Sequence, residues 1–186
     1  MTLPRGFKAQ AERDALAMRE EVGAAITDVL DISTVAEAMG AVVVDGADLI
    51  GHDLFEEMES IQYGVFSAAT FEVEGRKFIV TNPVTTEVRR KSDIAHEIGH
   101  LHLKHELSEV REVGGLPFRT CMPEQEEQAT AFGGTLLLPR ETVLAAARAG
   151  ATTPERLAAM HGVSVEMARF RLNTTGALRQ IAARRR

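Results

Sequence analysis

The sequence predicts an α+β fold in which helices surround a small mixed or antiparallel sheet. Three observations lead there. Thr86 to Leu103 and Glu124 to Leu138 are proline-free stretches with apolar residues at helical spacing. Phe66 to Val73 and Lys77 to Val80 flank Glu74-Gly75-Arg76, a hairpin pattern with glycine supplying the turn. Ala41-Val-Val-Val44 is a short β-branched run suited to a buried strand.

The elements follow in order. Phe7 to Val22 carries Ala11, Ala15, Leu16, Met18 and Val22 among charges, an amphipathic helix stopped by Gly23. A short helix is expected from Thr34 to Met39, ended by Gly40, and Asp45 to Asp53 reads as a loop. The long helix over Thr86 to Leu103 is followed by a charged stretch with glycine and proline, Lys104 to Pro123, expected to be a loop. Pro139 stops the helix over Glu124 to Leu138, and Glu141 to Ala149 forms another that ends at Gly150. Thr153-Pro154 is an N-cap with proline at the first helical position, and Ser164 caps a last helix to about Leu172. Residues 1–150 are expected to form the main domain with its N-terminal helix. Residues 151–186 form a helix-turn-helix-like extension with a basic tail.

Composition narrows the function classes. With 186 residues, 45% hydrophobic and 26% charged, the chain has a globular composition and enough length to bury a core. Its apolar stretches, such as Thr135 to Pro139, are far shorter than a membrane span, and the N-terminus lacks a signal-like apolar run, so a cytoplasmic protein with no membrane partner is expected. The single cysteine, Cys121, excludes an intramolecular disulfide framework and a cysteine-rich zinc site. A net charge of −6 argues against broad nucleic-acid binding, although after residue 150 seven arginines face only Glu155 and Glu166.

The chemistry is concentrated in His96-Glu97-Ile98-Gly99-His100, an H-E-x-x-H sequence within a predicted helix. Histidines four apart share a helical face with Cβ atoms ~6 Å apart, so two imidazoles converge on one ion at ~2.0–2.1 Å each. Glu97 then stands beside the metal as a general base for water that attacks a peptide carbonyl. Two histidines and a carboxylate suit zinc, and also accept manganese or another divalent ion. His102 and His105 fall about 200° from His100 and about 180° from His96 on the helical wheel, which assigns them no role. His52 and His161 stand alone and read as surface or capping residues.

A catalytic zinc needs a third protein ligand and an open position. The acidic start of the next helix, Glu124-Gln-Glu126-Glu127, supplies candidates. Glu126 shares a face with Ala129, Thr130 and Gly133, whereas Glu127 points about 100° further round, so an inward face favours Glu126.

Two blocks resemble the ImmA/IrrE family of metallo-endopeptidases. Ser92-Asp-Ile-Ala-His-Glu-Ile-Gly-His100 is similar to the family's zinc helix. Glu126-Glu-Gln-Ala-Thr-Ala-Phe-Gly-Gly-Thr-Leu-Leu-Leu-Pro139 is similar to its third-ligand helix. Arg5 to Arg13 and Gly162 to Leu172 add supporting similarity. The resemblance implies a zincin-like metallopeptidase domain, with His96, His100 and Glu126 as zinc ligands and Glu97 as catalytic base. It also implies a protein substrate, a partner helix-turn-helix repressor cut at a specific site. The chain departs from the family pattern at Thr130, where Asn or Asp is frequent, and at Gly133, where Ala is common.

A competing reading is a DNA- or repressor-binding regulator that retains the metal site without proteolysis. Direct DNA binding would use Arg169 and Arg171 on the helix after the Gly162-Val163-Ser164 turn, but residues two apart do not share one narrow stripe. Tyr63, the only tyrosine, is a candidate for stabilising the oxyanion without a spacing argument behind it.

Overall fold

The computed structural model describes residues 3–64, 66–105, 110–113, 116–119 and 122–184. The first half of the chain runs α1 (Phe7–Glu21), α2 (Ile32–Ala38), β1 (Ala41–Asp45), α3 (Ala47–Ile50), α4 (His52–Ile61), β2 (Ala68–Val73) and β3 (Arg76–Thr81). It continues through α5 (Glu87–His102), β4 (Val110–Val113), β5 (Leu116–Arg119), α6 (Pro123–Leu137), α7 (Arg140–Arg148), α8 (Pro154–His161), α9 (Val165–Thr175) and α10 (Ala177–Arg184). The architecture is α+β, with a mixed three-stranded sheet. β3 lies at its centre, parallel to β1 and antiparallel to β2.

Local chemistry sets most element ends. Glu74 and Gly75 take φ of 51° and 76°, the backbone of a tight two-residue hairpin turn between β2 and β3. Asn82 then turns the chain out of the sheet: its amide donates to Phe66 O (2.7 Å) and Glu59 Oε1 (2.8 Å), and its oxygen accepts from Val84 N (2.9 Å). Thr86 caps α5 by accepting from Arg89 N, Thr153 caps α8, and Ser164 caps α9.

Three expectations are corrected. The predicted loop over Asp45 to Asp53 contains α3 and the start of α4. Gly46 and Gly51 read as breakers, and the apolar Leu49 and Ile50 stay exposed, so no buried face marked α3. The predicted loop over Lys104 to Pro123 contains the β4–β5 hairpin, whose four-residue strands mix charge with apolar residues too briefly to show alternation. The helix expected to be last runs on to Thr175, and α10 follows after Gly176. Cys121, Arg185 and Arg186 lie outside the described residues.

One hydrophobic core joins the sheet to the helices. It contains Ile79 of β3, Ile94 and Ile98 of α5, Phe132 and Leu136 of α6, Val143 of α7, and Leu157, Ala168 and Leu172 of α8 and α9. The helices after residue 150 are thus built into the same core as those before it. His161, expected at the surface, is 2% exposed, and Lys91 Nζ donates to its carbonyl at 3.2 Å. Burial pushes the His161 imidazole below its usual range, and Arg19 and Lys91 add to that shift. No helix among the described residues is long and apolar enough to cross a membrane.

Candidate metal centre

The site sits where α5 crosses α6, and small residues allow that crossing. A Cβ built on Gly99 meets Ala129 O at 2.8 Å, and one built on Gly133 meets the carbonyl carbon and oxygen of Ala95 at 2.8 Å. Ala95 and Gly99 are four apart on α5, as are Ala129 and Gly133 on α6, so two small-residue contacts hold the backbones together. The residues beside these contacts, His96 and His100 on one helix and Glu126 and Thr130 on the other, are thereby brought face to face.

This packing makes the sign of one substitution testable. In an open helix Gly→Ala is stabilising by ~0.8–1.0 kcal/mol. At Gly133 the methyl would overlap backbone rather than a flexible side chain, and overpacking costs typically ~1–3 kcal/mol. Gly133→Ala is therefore expected to lower the thermal midpoint of the metal-free protein, and a raised midpoint would contradict the close approach.

The donor atoms converge. His96 Nε2 lies 3.1 Å from Glu126 Oε2 and 3.0 Å from His100 Nε2, and His100 Nε2 lies 3.4 Å from Glu126 Oε1. Tetrahedral coordination with bonds of ~2.0–2.1 Å sets neighbouring donors about 3.3 Å apart, so the three side chains fit one zinc-sized ion. Burial, and next the proximity of His96, push the His100 imidazole below its usual value, while Glu97 and Glu126 oppose the shift. The neutral ring so favoured is the form that offers a lone pair to a metal.

Glu97 is 6% exposed, and one of its oxygens, Oε2, accepts a 2.6 Å hydrogen bond from Thr70 Oγ1 on β2. Thr130 Oγ1 lies 3.3 Å from His96 Nδ1, so the residue that departs from the family pattern still partners a candidate ligand.

Model comparison identifies the family. Residues 47–173 match the family model described as the IrrE N-terminal-like domain, a peptidase family. The chain belongs to the IrrE N-terminal-like peptidase family. Comparison with curated proteins and with solved structures gave no match. The family match runs from α3 into α9 and takes in the whole α5–α6 crossing, and it supports a function of the metallopeptidase type.

Within this family member the remaining sequence candidates take varied places. Glu127 is not in the donor group that Glu126 joins. Tyr63 is 81% exposed with Arg89 over its ring, and it is not part of the donor cluster. His52, Asp53 and Glu56 form a second set of three nearby donors, but all are exposed at the start of α4. Arg171 is not on a DNA-reading face. It is 5% exposed, with Nε donating to Leu138 O (2.8 Å) and an Nη donating to Glu12 Oε1 (2.6 Å).

His102 and His105, both assigned no role on the helical wheel, have defined partners. His102 stacks on Phe132 at 4.6 Å and pairs with Asp14 of α1 at 3.0 Å. His105 leaves the helix altogether, because Lys104 adopts φ of 54°, and it folds back onto His100 with 3.0 Å between the two Nδ1 atoms. The wheel failed because it continued the helix past Leu103. Thr70, 27 residues from Glu97, left no sequence signal at all.

Proposed function

We propose that the protein is a zinc-dependent endopeptidase in which His96, His100 and Glu126 hold the metal and Glu97 is the general base. The observation that carries this reading is the convergence of two imidazole Nε2 atoms and one carboxylate beside a buried glutamate at the α5–α6 crossing. The donor set suits zinc and also accepts manganese or another divalent ion. When bound there, zinc acidifies water and polarises a carbonyl.

The chain's own groups do the rest. Glu97 takes a proton from the attacking water and returns it to the leaving amine. Thr70 orients that carboxylate by donating to its Oε2. A structural metal site closes all four positions with protein ligands, whereas three ligands and an adjacent base leave room for water and substrate.

For the substrate we infer a partner helix-turn-helix repressor, cut at one site in the cytoplasm, so that cleavage regulates transcription. Residues 151–186 are read as an extension of the catalytic domain 1–150 that helps receive that protein. The net charge of −6 over the whole chain and the inward turn of Arg171 favour a protein partner over DNA. The test incubates metal-stripped and zinc-reloaded protein with the helix-turn-helix repressor encoded beside its gene and follows fragments by mass spectrometry. A single cut that needs zinc is expected. Tight repressor binding with no cut in either form would instead identify a regulator that works by binding.

A further inference from the structure

The end of α5 places a third histidine behind the candidate ligand pair. Leu103 N donates to Gly99 O (3.0 Å), Lys104 N to Leu101 O (3.3 Å), and His105 N reaches back to His100 O (3.0 Å). With Lys104 left-handed at φ 54°, this is a Schellman ending, in which the second residue past the helix packs over the side chain three positions inside its end. That contact is usually apolar. Here it is His105 on His100, with ring centroids 5.0 Å apart.

Donor and acceptor logic then fixes the proton positions. His100 Nε2 faces His96 Nε2 and Glu126, so as a ligand it must carry its lone pair there and its proton on Nδ1. Among the described residues, the nitrogen that Nδ1 meets is His105 Nδ1 at 3.0 Å, and two such atoms bond only if one carries the hydrogen. His105 Nδ1 is therefore the acceptor, and its own proton sits on Nε2. That atom lies 3.4 Å from Gln128 Oε1, which is an acceptor. The reverse assignment puts a proton on His100 Nε2, where it would block the ion.

We propose that His105 is a positioning residue of the metal centre, accepting the Nδ1 proton of His100 and linking that ligand through Gln128 to the helix that carries Glu126. His96 has a corresponding partner in Thr130. Each ligand histidine is thus held through its second nitrogen, the arrangement that fixes ring orientation and raises ligand basicity. The inference rests on the metal reading above.

The experiment measures zinc affinity by competition with a chromophoric chelator, and thermal midpoints of the metal-free proteins, for wild type, His105→Ala, His105→Asn and His52→Ala. His105→Ala is expected to weaken zinc binding about 10- to 100-fold. His105→Asn, whose Oδ1 stands where Nδ1 stood, is expected to recover most of that loss, and His52→Ala to leave affinity and stoichiometry unchanged. Equal affinity in wild type and His105→Ala would overturn the positioning role while leaving the metal reading intact. Equal loss in the Ala and Asn variants, with equally lowered midpoints, would make His105 structural and also overturn it. A wild type that binds no zinc would sink the underlying metal reading instead.

Discussion

Glu97→Gln is expected to reduce peptide-bond cleavage by about 10²- to 10⁴-fold, the usual contribution of a positioned general base. Zinc stoichiometry should stay at the wild-type value. The substitution keeps the side chain's size and its acceptor for the Thr70 hydroxyl, but removes the carboxylate proposed as the general base. It leaves His96, His100 and Glu126 as they were. Parallel measurement of cleavage rate and bound zinc separates the roles: lost cleavage with retained metal marks a base, whereas loss of both marks a residue that supports the site's structure. Cleavage at the wild-type rate would remove Glu97 from the mechanism.

The second large effect concerns stability. Arg171→Met is expected to destabilise the protein by ~3–5 kcal/mol, as breaking a buried ion pair by removing one partner does. The guanidinium is 5% exposed and bridges three parts of the chain, with Glu12 of α1 on one side and the Leu138 carbonyl at the end of α6 on the other. Burial pulls its pKa below the usual arginine value, and Glu12 opposes that shift. Methionine fills part of the volume but leaves the Glu12 carboxylate, among the described residues, with the Arg140 backbone N–H, and removes this arginine's bond to the Leu138 carbonyl. Against a typical total of ~5–15 kcal/mol, such a loss lowers the melting midpoint by roughly 6–20 °C. The exposed neighbour Arg169→Met should cost under ~0.5 kcal/mol, and the double variant Glu12→Gln, Arg171→Met less than Arg171→Met alone. A midpoint shift for Arg171→Met no larger than for Arg169→Met would refute the buried bridge.

The H-E-x-x-H spacing puts His96 and His100 on one helical face because four residues are close to one helical turn, and this holds wherever the helix docks. Helix ends at Thr86, Thr153 and Ser164, and the hairpin at Glu74-Gly75, were equally legible, since caps and turns are bonds between near neighbours. α3, α4 and the β4–β5 hairpin were not, because elements of four to ten residues with mixed or exposed faces carry little periodicity.

Residue spacing alone specifies the helix that carries the two histidines, the glutamate between them, and an acidic first turn on a second helix from which a carboxylate would come. How α5 and α6 cross, with Gly99 against Ala129 and Gly133 against Ala95, is set by long-range packing. That crossing turns Glu126 to the histidines and sets Thr130 behind His96, while the packing of β2 on α5 brings Thr70 to Glu97 across 27 residues of chain. It is also tertiary packing that takes Arg171 from an apparent DNA-reading helix into the core. Periodicity reports which face of an element is apolar. The register between two elements depends on the shape of both surfaces, and no single stretch of sequence contains it.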